Sequence, residues 1–351
     1  MGFIYTKSGK LAKRLYFGAV LLFEGLYYTF KNRVLADGGT FLENELPTIS
    51  QDAKLVLTPN AYKAGKLYSA VPNDGTGDFT VDRNCSATYV DEDGLIKTVA
   101  VNVLRIDWRT GEAVILRELQ STNLVKYSED FSNDSWTKVN SSTVSANSNT
   151  APDGTETAYT FNASTSSYGS ILRQIINKIA ETQYTLSFFV KKNNHRYVGL
   201  RIGSASSGDF YNFYDFDTDV IDNTVVANAP LSRVIEKDGW VRLSQTFTTT
   251  ASPVATTDIA IVNASGSTVS PDGTEKLDVW GAQLEQASTA SSYIPTNGTT
   301  VTRLADNISV PTPAGVTSIT ETKNGVEQTP ITTIPTTYSL PVGNINKVKM
   351  L

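Results

Sequence analysis

Apolar and polar positions alternate in short stretches along most of this chain, and turn residues interrupt them at close intervals. Val241–Phe247 (VRLSQTF) alternates throughout, while Thr185–Val190 (TLSFFV), Tyr197–Ile202 (YVGLRI), Asp258–Val262 and Leu277–Leu284 are short runs rich in β-branched and aromatic residues. Such runs predict half-buried or buried strands. Asp153-Gly154, Asp238-Gly239 and Asp272-Gly273 mark turns between them. Nearer the start, Lys54–Leu57, Ala87–Val90, Ile96–Val103 and Ala113–Leu116 predict shorter strands, parted by the turn-rich stretches Asn73–Asp78 and Asp91–Gly94. Only Ile171–Ala180 predicts a helix, with Ser170 as its cap. Many short strands separated by turns predict an all-β chain whose long middle region is a jelly-roll β-sandwich.

Changes in texture divide the chain into four parts. Residues 1–50 form an N-terminal segment, 51–120 a small β-rich region, 121–305 the sandwich, and 306–351 a spacer with Pro311 and Pro313 leading into a C-terminal β-module. Within the last, Ser318–Thr320 and Thr337–Leu340 read as strands and Asn324-Gly325 as a hairpin turn. The N-terminal segment is dominated by Leu15–Phe30 (LYFGAVLLFEGLYYTF). It is short for a membrane span and carries Glu24 in its middle, and no small-residue cleavage site of a signal peptide follows it. A contact segment covered by neighbouring subunits is the preferred reading.

Charge sharpens that reading. The 351 residues carry a formal net charge of -5, yet Lys7, Lys10, Lys13, Arg14, Lys31 and Arg33 face only Glu24 at the N-terminus. A basic head on an acidic body predicts docking onto an acidic partner surface and gives no nucleic-acid stripe. Charged residues make up only 19% of the chain, and Ser, Thr, Asn and Gly take their place, as suits exposed strands and polar turns. A single His (His195) and a single Cys (Cys85) exclude an intrachain disulfide and a Cys/His zinc cage.

Candidate chemistry is sparse. Phe210–Phe216 (FYNFYDF) is the best ligand stretch: Tyr211 and Tyr214 could stack on sugar rings while Asn212 and Asp215 hold hydroxyls. The same stretch reads equally as a strand with its aromatics packed inward. Asp215, Asp217 and Asp219 have the alternate spacing of a calcium loop, but Val220 and Val226 stand where that loop needs Gly and Glu. A solvated turn is the plainer reading, and no metal or cofactor is expected. His195 lies in a polar turn and Cys85 between Asn84 and Ser86, neither with a catalytic setting.

Several segments carry a resemblance. Ser121-Thr-Asn-Leu, Tyr127-Ser-Glu-Asp-Phe-Ser, Trp136, Ala151-Pro-Asp-Gly-Thr, Tyr184-Thr-Leu-Ser with Val190-Lys191, Gly239-Trp240-Val-Arg, Val279-Trp-Gly-Ala-Gln-Leu-Glu, Ser292-Tyr-Ile-Pro-Thr and Val301-Thr-Arg follow one another in order. This series resembles a domain of tailed-bacteriophage fibre and head-spike proteins. Asp82–Asp107, with Arg83, Ala87-Thr88 and Arg105-Ile106-Asp107, resembles what often precedes that domain. The resemblance implies a carbohydrate-binding-like jelly roll in a structural, non-enzymatic virion protein. The expectation is a head fibre on the virion surface, docked on capsid protein through residues 1–50, self-associating as a homotrimer, with host surface glycan as a further partner. A tail-associated receptor-binding fibre and a polysaccharide-degrading enzyme are the alternatives. Trp240 and Trp280 read as sandwich core or, less simply, as a sugar platform.

Overall fold

A computed structural model describes residues 52–351, apart from 60–61, 64–65, 68, 72–77, 166–169, 203–210, 226–228, 252, 254–255, 265 and 267–271. The predicted contact segment, residues 1–50, and Phe210 lie outside the described residues. The chain divides into two units. One takes in the chain up to Asn84, Asn102–Glu118 and Asp306–Leu351, and the other Cys85–Val101 and Leu119–Ala305.

The second unit is the sandwich. Its first six-stranded sheet runs, in spatial order, Trp136–Val139, Ile171–Ile175, Thr256–Ile261, Tyr197–Ile202, Asn212–Asp215, Val220–Asp222. The second runs Thr143–Asn149, Ala158–Asn162, Lys276–Glu285, Gln183–Lys192, Trp240–Thr248, Leu231–Ile235. The strand pairs within both sheets are antiparallel. The chain passes repeatedly from sheet to sheet: Ala158–Asn162 in the second, Ile171–Ile175 in the first, Gln183–Lys192 in the second, Tyr197–Ile202 in the first. It does so again from Trp240–Thr248 through Thr256–Ile261 to Lys276–Glu285. That alternation makes the sandwich a jelly roll.

Alternation within strands fills its core. Tyr184, Leu186, Phe188 and Val190 from the second sheet meet Leu172, Val198, Leu200, Tyr214, Ile259 and Ile261 from the first. Phe131 is ringed by Trp136, Tyr159 and Phe188, with centroids 5.1, 5.7 and 6.3 Å away. Phe189 points to the opposite face, where it packs with Trp240, Trp280 and Tyr293 beneath Val90 and Ile96 of the hairpin Ala87–Val90/Ile96–Val99. A strand buried on both faces has no polar side to show, which is why TLSFFV reads as a nearly continuous apolar run. Gly281 (φ 61) permits this layering, since a Cβ there would stand 2.8 Å from the Phe189 ring.

The predicted helix at Ile171–Ala180 is corrected. Ile171–Ile175 is a strand paired on both sides, with Leu172 in the sandwich core and Ile171 on the outer face. Ser170 caps no helix; its Oγ accepts the Ser164 N–H at 2.9 Å. Five residues with apolar side chains on both faces carry no period that separates strand from helix.

The first unit joins segments from both ends of the sequence. Gly343–Met350 pairs with Leu55–Leu57, Ile319–Lys323 and Val114–Arg117, and Asn307–Pro311 pairs with Thr80–Asp82 and Thr337–Ser339. The regions 51–120 and 306–351, read separately along the sequence, therefore share sheets and one core of Leu55, Leu57, Ile115, Ile308, Ile345 and Val348, among others. Asn324 (φ 50) and Gly325 (φ 76) make the predicted hairpin turn, both residues in the left-handed region a type I′ turn requires.

One buried ionic cluster sits in this unit. Asp306 accepts from Arg83 Nη1 at 2.7 Å, from Arg105 Nη2, and from the Glu118 backbone N–H at 2.8 Å. Arg105 also pairs with Glu118 at 2.7 Å, and neither guanidinium has exposed side-chain surface. Removing one member of such a cluster strands the others in a low-dielectric interior. Asp306→Ala is expected to destabilise the protein by about 3–5 kcal/mol, measured as a fall in the urea midpoint. An unchanged midpoint would refute the anchoring role.

Candidate functional site

The FYNFYDF stretch enters the first sheet as Asn212–Asp215, between Tyr197–Ile202 and Val220–Asp222. Pairing on both sides leaves its side chains two faces, and both are covered. Tyr214 joins the sandwich core, while Tyr211 and Phe213 pack on the other face with Ile171, Ala260 and Val262. Tyr211 and Asn212 have no exposed surface, Tyr214 has 3% and Asp215 7%. Gly199 makes room for this: a Cβ there would lie 2.6 Å from that of Tyr211.

The polar atoms of the stretch are already engaged. Asn212 Nδ2 donates to the Ala229 carbonyl at 2.9 Å. Tyr214 donates to Asp219 Oδ1 at 2.8 Å, and burial with that contact pushes its phenol up to about 12. Asp215 takes Arg196 Nε and Nη2, both at 2.7 Å, and the Thr218 hydroxyl at 2.7 Å. The Arg196 hydrogen bonds lead in holding its carboxyl well below the usual range. The structure thus gives Tyr211, Asn212, Tyr214 and Asp215 packing and pairing roles instead of a solvent-facing sugar platform. The alternate acids are likewise matched to cations: Asp215 to Arg196, Asp217 to Lys192, and Asp219 to Arg233, whose hydrogen bonds bring the Asp219 carboxyl to about 2. His195 Nε2 shares a 2.8 Å hydrogen bond with the Val262 carbonyl.

Two features of this unit were not singled out in the sequence. The first is a polar row across the outer face of the first sheet. Asp258 is fully buried and accepts Arg173 Nε and Nη2, both at 2.7 Å, and Arg201 Nη2 at 2.9 Å. Arg201 then lies 4.8 Å over the Tyr211 ring. The outward residues of neighbouring strands could have hinted at it, but Arg173 and Asp258 are 85 positions apart and nothing local pairs them.

The second is a cavity of about 130 Å³ between the hairpin, the Tyr293–Pro295 segment and the strand Val301–Arg303. Ser86, Thr98, Pro295 and Thr302 stand exposed around it, Thr88 and Arg303 are buried at its base, and Cys85 is half-buried in its wall. The motif segments Ala87-Thr88, Ser292-Tyr-Ile-Pro-Thr and Val301-Thr-Arg converge here, which the sequence order alone does not reveal.

Glu129 sits where its surroundings favour the protonated form. Burial raises it above the usual range, and Asp153 adds to the effect against an opposing 2.9 Å hydrogen bond from Tyr293.

No protein-family model and no characterised protein matches the chain. Among solved structures it is similar to the CBM22-1–GH10 modules of Clostridium thermocellum endo-1,4-β-D-xylanase 10B complexed with xylohexaose. That match has 15% identity and a TM-score of 0.28, covering 49% of this chain and 29% of that one. It is also similar to the CBM22-1 xylan-binding domain of Paenibacillus barcinonensis Xyn10C, with 12% identity and a TM-score of 0.25, covering 50% of this chain and 98% of that one. At such low overlap neither likeness bears on the ligand here, and the jelly roll rests on the strand order.

Glu129 generates a pH prediction. Below the ordinary glutamate value of about 4.3 the group is protonated folded and unfolded, so its raised folded value carries no penalty there. As pH rises through the folded value, the folded chain must hold a half-buried charge that the unfolded chain keeps in water. Glu129→Gln, which still accepts from Tyr293, is expected to raise Tm by about 1–4 °C at pH 7. That gain should fade toward pH 4, checked by calorimetry at both values.

Proposed function

We propose that this chain is a non-enzymatic structural protein of a tailed-phage particle, a head fibre or spike whose jelly roll projects outward and engages host surface glycan. The observation that supports this reading best is what the phage-like segments do in the fold. Asn123 Nδ2 donates to the carbonyls of Ala282 (3.1 Å) and Ile294 (2.8 Å), and its Oδ1 accepts from Val125 (3.0 Å) and Leu284 (3.1 Å). Glu285 is buried and takes the Ser121 hydroxyl, the Ser291 hydroxyl and the Ser291 backbone N–H. Arg242 donates to the Ser291 carbonyl at 2.6 Å and stacks 5.1 Å over Phe189. Trp280 packs on Phe189 and Tyr293 at 5.4 and 4.6 Å.

These residues lock the second sheet to the segments that cover it. A motif set spent on closing a scaffold favours a supporting and binding role over a catalytic one. Self-association fits the same reading: the edge strand Leu231–Ile235 presents Val234 and Ile235, and the neighbouring edge presents Val220, all exposed. Sheet edges of this kind are commonly covered by another copy. The basic N-terminal segment would dock on capsid protein, its charge steering it onto an acidic surface.

Immunogold electron microscopy of purified particles, with antibody raised against residues 121–305, tests the proposal. Label over the head is expected. Label confined to the tail tip would move the protein to a receptor-binding fibre, and particles without label would remove the virion reading.

A further inference from the structure

We propose that the cavity beside Cys85 is a binding site for a single neutral monosaccharide unit, a proposal that gives the glycan reading above a specific place. Size is the first argument. The cavity holds about 130 Å³, close to the engineered cavity of about 150 Å³ that admits benzene. That is room for about one six-membered ring, with the open mouth leaving space for its substituents.

The chemistry of the walls selects the kind of ring. Four small hydroxyl-bearing residues line it, Ser86, Thr88, Thr98 and Thr302, together with the apolar Ile294, Pro295 and Val301. A pyranose presents the complementary pattern, with hydroxyls around its rim and C–H groups on its faces. An apolar ring would displace water from the exposed Ser86 and Thr98 without replacing its hydrogen bonds, whereas a sugar can replace them. No carboxylate lines the cavity among the described residues. The one guanidinium, on Arg303, directs Nη2 to the Leu119 carbonyl at 2.8 Å and Nη1 to that of Leu304 at 3.3 Å. A neutral sugar therefore fits better than an acidic or an amino sugar.

The walls are also pre-formed. Thr88 and Thr98 are direct cross-strand partners in the hairpin, and Thr88 Oγ1 is hydrogen-bonded to the Tyr293 carbonyl. Ile294 is held by its N–H to Gln283 and its carbonyl to Asn123. Thr302 meets Thr122 at 2.8 Å across the Ser121–Asn123/Val301–Arg303 pair. Little ordering remains to oppose binding, which matters for a ligand this small.

The chain supplies its own reporter, since Cys85 is the sole cysteine and lies in the wall. The test measures alkylation of Cys85 by iodoacetamide in the full chain, with glucose, galactose, mannose or xylose added, and with open-chain sorbitol as control. At a sugar concentration ten times Kd, mass action predicts roughly a tenfold slowing, with no slowing by sorbitol. Ser86→Trp, at the exposed rim, should fill the mouth and abolish protection by sugar while leaving Tm unchanged. Absence of protection by every sugar overturns the site, as does equal protection in Ser86→Trp. The same two proteins are then assayed for binding to a panel of bacterial surface polysaccharides. Binding lost in Ser86→Trp supports the cavity as the glycan site, whereas binding kept in full overturns that assignment and leaves the broader glycan reading intact. Sugar protection without polysaccharide binding supports the cavity and counts against the broader reading.

Discussion

The Asp306 carboxylate is the constraint on which this chain's threading depends. The chain leaves its first unit after Asn84 and after Glu118, and returns at Asn102 and at Asp306. The residues beside all four passages meet in one hydrogen-bonded network. Arg83 and Arg105 converge on Asp306, the Glu118 N–H donates to its carboxylate while the Asp306 N–H donates to the Glu118 carbonyl, and Arg83 and Asn102 bond to each other. Buried ions are expensive unless every partner is in place, so the network tolerates one arrangement of the passages and penalises the others.

Within the sandwich the controlling fact is double coverage. The hairpin Ala87–Val99 buries the outer face of the second sheet, and the aromatic cluster of Tyr211 and Phe213 belongs to a packed layer on the outside of the first. Aromatic side chains that could have formed a flat sugar-binding surface are consumed as packing. The cavity lies at a seam, where the hairpin and the strand Val301–Arg303 meet the Tyr293–Pro295 segment.

The acidic surface is similarly spoken for. Asp215, Asp217 and Asp219 alternate along the chain, and each finds its own cation, Arg196, Lys192 and Arg233. Their spacing alone resembles a divalent-cation loop, but Arg196 and Arg233 engage Asp215 and Asp219 by fork-shaped contacts and Lys192 engages Asp217. Sequence spacing therefore overstates metal affinity wherever sheet neighbours carry guanidinium groups at matching positions.

Local patterning was enough to establish an all-β chain and where most of its sandwich strands fall. Those conclusions rest on period-two patterning and turn residues, which are local and survive without knowledge of partners. The tertiary structure alone decided three things. It made Ile171–Ile175 a strand, because pairing on both sides outweighs an ambiguous short pattern. It placed Leu55 opposite Met350 and Arg173 beside Asp258, pairings between segments far apart in sequence that no local signal specifies. It also decided whether Tyr211, Asn212, Tyr214 and Asp215 face water. An aromatic strand reads the same along the sequence whether its outer face is open or covered, and only the neighbouring strands and segments settle which.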